Sequence, residues 1–181
     1  MLLASYKSTR PGLQGLANRA IRLRLRGPYS HTEVVFEPHD QVGRLMPDGT
    51  TAPGADGGLW CASSVAAERL PAHSPRRAGR VGGVRFKRIV LDPGHWDLLP
   101  LPFDAVRAAT WFHAHQGALY DWQLILGFLS WLIPGKAGRW TCSEASAEAT
   151  DYPDSERFDP CNLRASVAAL QRSHPYHLWG V

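Results

Sequence analysis

Apolar residues change their spacing midway along the chain, and this constrains the fold more than any other feature of the sequence. Up to Leu101 the apolar segments are short, as strands are, and β-branched residues dominate Ser30 to Glu37 between turn signals. The segments cover Leu2 to Lys7, Ser30 to Glu37, Gly58 to Val65, Gly82 to Leu91 and Asp97 to Leu101. After them the spacing lengthens to that of helices, over Phe103 to Gln116, Tyr120 to Ile133, Thr141 to Ala149 and Asn162 to Arg172. One helix interrupts the strands. It begins at Pro11-Gly12, carries Leu13, Leu16, Ala20 and Leu23 on one side and arginines on the other, and stops at Gly27-Pro28. Its pattern predicts an amphipathic helix. Residues 38–57 and 66–81 are expected to be long loops. Strands followed by helices, rather than alternating with them, predict an α+β fold. A length of 181 residues with 44% hydrophobic content suits one domain, 1–181.

The cysteines narrow the chemistry. There are three, Cys61, Cys142 and Cys161, at long spacings and with no CxxC pair. That argues against a zinc ribbon and against a disulfide framework, and it fits a reducing compartment. The start, MLLASYKSTRPG, has no extended apolar core of a signal peptide, so a cytoplasmic location is expected, with release on lysis left open. Trp122 to Ile133 is apolar but shorter than the about 18–20 residues a membrane span needs. It is expected to be a buried helix or an interfacial one.

Charge is uneven. Arg19, Arg22, Arg24 and Arg26 form one cluster, and Arg76, Arg77, Arg80, Arg85, Lys87 and Arg88 form another. Such clusters are either solvated faces or contacts for an anionic partner: nucleic acid, phospholipid or a cell-wall polymer. No specific nucleic-acid partner is predicted. No phosphate loop, dinucleotide fingerprint or GxSxG elbow is present, and no cofactor is expected.

Trp140-Thr-Cys-Ser-Glu-Ala-Ser-Ala147 carries the strongest chemical signal. Thr141 followed three residues later by Glu144 is a capping box, which places Cys142 in the first turn of a helix. A helix N-terminus favours the thiolate, the form of cysteine that attacks carbonyls. The Cys142 backbone N–H would also be available to an oxyanion hole. A proton carrier must accompany it, and His31 is the best candidate. Strand alternation puts His31, Glu33 and Val35 on one face and Thr32, Val34 and Phe36 on the other. Glu33 is therefore placed to orient the imidazole, with Ser63 or Ser64 on the next strand as rivals. A carboxylate on an inward face needs a partner, and His31 or an Arg not identifiable from the sequence would serve. Cys61 is assigned to packing, and Cys161 is a packing residue or a rival nucleophile. His31 with Glu33 could instead ligate zinc, but no third ligand has recognisable spacing. His113 with His115 and His174 with His177 are poor metal pairs, and no metal is predicted.

Gly27-Pro-Tyr-Ser-His-Thr-Glu-Val-Val35, Gly82-Gly-Val-Arg-Phe-Lys87, Tyr120-Asp121 and Trp140-Thr-Cys-Ser-Glu144 together resemble the circularly permuted NlpC-type papain-like hydrolases. In that group the histidine strand precedes the cysteine helix. The resemblance spans roughly residues 27–165. It implies a permuted papain-like fold, an antiparallel sheet packed on helices, with Cys142 as nucleophile and His31 as base; the group's third polar residue varies in position, and Glu33 is assigned to that role from strand alternation alone. It also implies a thioester acyl-enzyme. The substrate would be a small peptide, amide or acyl compound, including cell-wall peptides. Tyr29, Tyr120, Asp121 and Trp140 would shape the substrate pocket, though Tyr120-Asp121 could equally cap a helix or bond within the core. Two alternatives on the same fold are a lipid-directed acyltransferase or lipase and a non-catalytic phage or host-interaction module.

Overall fold

The computed structural model describes residues 1–121 and 138–173. Within them lie seven strands and four α-helices. Five strands form one antiparallel sheet: β1 (Leu2–Tyr6), β2 (His31–Phe36), β3 (Leu59–Arg69), β4 (Val81–Ile89) and β5 (Trp96–Pro100), in the order β4-β3-β2-β1-β5. The helices are α1 (Gly12–Leu25), α2 (Ala105–His115), α3 (Cys142–Ala149) and α4 (Pro160–Ser173). A parallel two-stranded ribbon, β6 (Leu119–Tyr120) and β7 (Arg139–Trp140), completes the set. The fold is α+β, as expected. No helix among the described residues is long and apolar enough to cross a membrane.

Alternation along the strands divides the core in two. Leu3, Val34, Phe36, Ala62, Val84 and Phe86 face the helices and pack with Phe112 of α2, Ala145 and Ala149 of α3 and Leu163 and Val167 of α4. Full burial of a side chain such as Phe36 or Phe86 contributes about 1.5–3 kcal/mol. Ala4, Tyr6, Val35, Cys61 and Trp96 form a smaller cluster from the other face. The helix α3 approaches the sheet closely because its side chains are small. Ala145, Ala147 and Ala149 are completely buried, and the Ser146 hydroxyl donates to its own helix at Cys142 O, 2.9 Å. Ser146 is thus satisfied within the helix, whereas Ser143 donates outside it to Phe158 O at 2.6 Å.

Four expectations need correction. The strand β3 runs to Arg69, past the expected end at Val65, with a register shift between these two residues. The Pro- and Gly-rich composition that marks the following loop begins only at Pro71. Tyr120 belongs to a strand rather than to the start of a helix; the rest of the expected helix, 122–133, lies outside the described residues. The third correction concerns α1, whose four arginines are expected to share one solvated or anion-binding face. Leu16 is 61% and Leu23 82% exposed, and Ala20 is exposed too. Arg22, from the supposedly solvated side, turns inward instead and donates to Lys7 O, Ser8 O and Thr9 Oγ1. Gly15 faces the protein, and a Cβ there would clash with Arg10 O. The fourth is that the second basic cluster is not one surface. Arg85 is completely buried, Lys87 pairs with Glu68, and Arg88 pairs with Asp48 and lies over the Trp60 ring.

Candidate active site

Alternation of β2 decides what the candidate site contains. Glu33 points into the sheet interior, where it is completely inaccessible, and a bare carboxylate there would cost several kcal/mol. Two cations answer it. Arg85, opposite Ser63 on β4 and equally buried, donates from Nη1 to Oε2 and from Nη2 to Oε1, both at 2.7 Å. His31 Nε2 meets Oε1 at 2.8 Å. The bulge in β3 adds Glu68, whose Oε2 lies 3.3 Å from Arg85 Nη2. Burial pushes the Glu33 carboxyl up, but Arg85 and His31 outweigh it and hold its pKa down at about 2. A carboxylate accepts only, so His31 Nε2 carries the proton and donates. Nδ1 is the ring nitrogen left to act elsewhere.

The imidazole's other neighbour is Cys142. The thiol enters from α3, whose start is fixed by the expected capping box: Glu144 N–H donates to Thr141 Oγ1 at 3.3 Å and Thr141 N–H to Glu144 Oε2 at 3.1 Å. Cys142 is thus the first helical residue, ahead of the first intrahelical bond from Ala145 N–H to Thr141 O. Thr32, next to His31 but on the helix side of β2, faces α3 with its hydroxyl 3.5 Å from Ser146 Oγ. The sulfur therefore meets the beginning of β2, where both His31 and Thr32 are within its reach. Burial alone would raise the Cys142 pKa; the charge and hydrogen bonding of His31, helped by the backbone and hydroxyl of Thr32, lower it instead. For His31 burial pulls downward, and Cys142 first and Glu33 second overcome it, raising the pKa to about 9. The two shifts run in complementary directions: the imidazolium favours the thiolate form of Cys142, and the thiolate favours the imidazolium form of His31. Cys142 is 5% exposed and the His31 side chain 14%, so the pair is sheltered with the imidazole nearer to solvent.

The other cysteines lack such surroundings. Cys61 is buried, and burial drives its pKa well above the ordinary value. Cys161 is half-buried, also raised by burial, with its sulfur 3.6 Å from Tyr29 O. Ser63 and Ser64, the rival orienting groups, are committed to carbonyls: Ser63 Oγ to Thr32 O at 2.7 Å and Ser64 Oγ to Trp140 O at 2.6 Å.

The expected pocket residues fall into two groups. Tyr120 is buried beside the site, and a charge on Cys142, Asp121 or Glu144 adds to the burial that raises its pKa well above 10. Asp121 follows it, buried, with its N–H donating to Trp140 O at 3.2 Å. Trp140 and Tyr29 have structural partners. The Trp140 ring packs edge-on against Trp111 at 4.9 Å, and Tyr29 donates to Asp97 Oδ2 at 2.8 Å beneath the Arg164 guanidinium.

Among the described residues, the one His/Asp/Glu group with metal-ligand spacing is Glu37, His39 and Asp40, away from Cys142, and the Met1 ammonium already stands 2.6 Å from Asp40 Oδ1. His115 stacks on Trp111 and donates from Nδ1 to Trp111 O. His174 and His177 lie outside the described residues. Arg85 is the residue missed from the sequence. Its signal was its place between Val84 and Phe86, which puts it on the Glu33 face by alternation.

No family model, curated protein or solved structure matches the chain.

Proposed function

We propose that the chain is a cysteine hydrolase that cleaves an amide, peptide or ester bond through a thioester on Cys142. One observation carries this reading: Cys142, His31, Glu33 and Arg85 form a continuous relay in which each group fixes the charge of the next. Cys142 Sγ, as thiolate, attacks the carbonyl carbon. The proton on His31 Nδ1 passes to the leaving amine or alkoxide as its bond breaks. Water then attacks the thioester, gives its proton back to Nδ1, and releases the acid and the thiolate. Glu33 keeps Nε2–H aimed away from the sulfur so that Nδ1 does this work, and the Cys142 N–H at the helix start stabilises the oxyanion.

An antiparallel sheet backed by helices, with a histidine at the start of a sheet strand and a later cysteine at a helix N-terminus, supports a permuted papain-like fold. Cell-wall peptides are the substrate class that the sequence resemblance implies, with Tyr120 beside the thiol as the pocket residue. A cytoplasmic site of action belongs to the same proposal. Incubation with p-nitrophenyl acetate, followed by intact and peptide mass spectrometry, tests the reaction. One acetyl group on Cys142, absent in His31→Ala, is expected. Acetylation spread over Cys61, Cys161 and lysines would overturn it.

A further inference from the structure

We propose that the outward face of α1 docks on an anionic lipid bilayer. The face is defined by what it exposes. With Leu16 as origin, a rotation of about 100° per residue puts Leu23 about 20° to one side and Ala20 about 40° to the other. Arg19 flanks this ridge about 60° away on one side and Arg24 about 80° away on the other, and Arg26 follows as the left-handed cap at the end of the helix. All of these residues are exposed, the two leucines more than half so. The inward side of the helix is occupied by Gly15, Asn18 and Arg22, which bind the protein. The leucines therefore face outward because the opposite side of α1 is anchored.

An apolar ridge between arginines is the geometry of an interfacial helix. Leucines enter the acyl boundary, while arginines lay their stems along it and keep their guanidinium groups at the phosphates. The surrounding charge agrees. Residues 1–32 hold six Lys or Arg and no Asp or Glu. A second copy of the chain is disfavoured by the same count, because pairing the ridges would set arginines against arginines with no acid between them. A nucleic acid would use the arginines but would gain nothing from the leucines. The ridge lies close to the candidate site in the chain: Asn18 Nδ2 donates to Ser30 Oγ at 3.1 Å, and His31 follows.

Co-sedimentation of the full chain with vesicles of phosphatidylcholine alone, or of phosphatidylcholine with phosphatidylglycerol, tests the proposal. The chain is expected to sediment with the anionic vesicles only, and Cys142→Ser to do the same, so that docking stands or falls apart from catalysis. Leu16→Ser with Leu23→Ser should weaken binding by about tenfold or more. Arg19→Gln, Arg24→Gln and Arg26→Gln should weaken it by about fivefold each. All five side chains are exposed, so the unfolding midpoints should stay at the wild-type value; the arginine set still decides the matter if the leucine set fails to fold. Absence of binding, equal binding to both vesicle types, or binding that the leucine changes leave intact would overturn it. So would retention on a DNA duplex or an acidic peptide without retention on vesicles.

Discussion

Arg85 and Glu33 are both completely buried and are joined by two parallel hydrogen bonds of 2.7 Å. This pair gives the candidate site its electrostatic floor. It keeps a negative charge under His31 in a place where water cannot, and the imidazole inherits its orientation from that charge. A buried ion pair adds little net stability compared with an apolar pair of the same shape, yet removing one partner is severe.

Arg85→Met is therefore expected to cost about 3–5 kcal/mol in urea unfolding, because it leaves the Glu33 carboxylate without its main partner. Glu33→Gln combined with Arg85→Met should recover part of that loss. A single change costing under about 1 kcal/mol would show that water reaches the pair.

Stability should depend on pH through the same groups. His31 has a folded pKa of about 9, above its ordinary 6.5, so its contribution is complete below 6.5 and lost as the pH rises through 9. Glu33, held at about 2 against an ordinary 4.5, contributes fully above 4.5 and loses its contribution as the pH falls through 2. The difference in unfolding midpoint between the wild type and His31→Gln should narrow between pH 6.5 and 9. A constant difference would contradict the raised value.

Glu144 behaves in the opposite sense to Glu33. Burial, with Asp121, Glu156 and Glu148 adding to it, raises its pKa to about 7 although Thr141 N–H favours the charged form. A carboxyl raised in the folded state contributes fully below 4.5 and loses that contribution as the pH rises through about 7. Glu144→Gln keeps an acceptor for Thr141 N–H and should remove this loss, so the variant gains on the wild type above pH 7. Thr141→Ala, which removes the other half of the capping box, should cost about 1 kcal/mol at any pH.

Gly83 is a fold test independent of the site. Its φ is +133°, and a Cβ there would stand 2.5 Å from Ala118 O, the carbonyl that accepts from Val84 N–H. Gly83→Ala should destabilise by at least about 2 kcal/mol and loosen the approach of the segment that carries Tyr120. Unchanged urea unfolding would refute that packing.

Much of this was legible in the sequence because it is local. Alternation in His31-Thr-Glu-Val-Val-Phe36 set which residues share a face, and Thr141 with Glu144 set where α3 begins. What escaped was long-range. The partner of Glu33 lies 52 residues away, and a run of basic residues on either side disguised it as surface. The bulge that carries Glu68 toward Arg85 has no local signature. On α1 the helical spacing is real, but Arg22 leaves the other arginines to bind the segment at 7–9, a contact that no local pattern announces. In β6 the Gly82-Gly83 pair admits the chain at 117–118, a tertiary contact that overrides the helical spacing beginning at Tyr120.

Whether His31 favours the thiolate of Cys142 is decided by the pH dependence of iodoacetamide alkylation, followed cysteine by cysteine in the folded protein. Cys142 should react far faster than Cys61 and Cys161 at mildly acidic pH, and His31→Ala should move its titration toward that of an ordinary thiol. Equal, slow reaction of all three cysteines until alkaline pH, unchanged by His31→Ala, would contradict it.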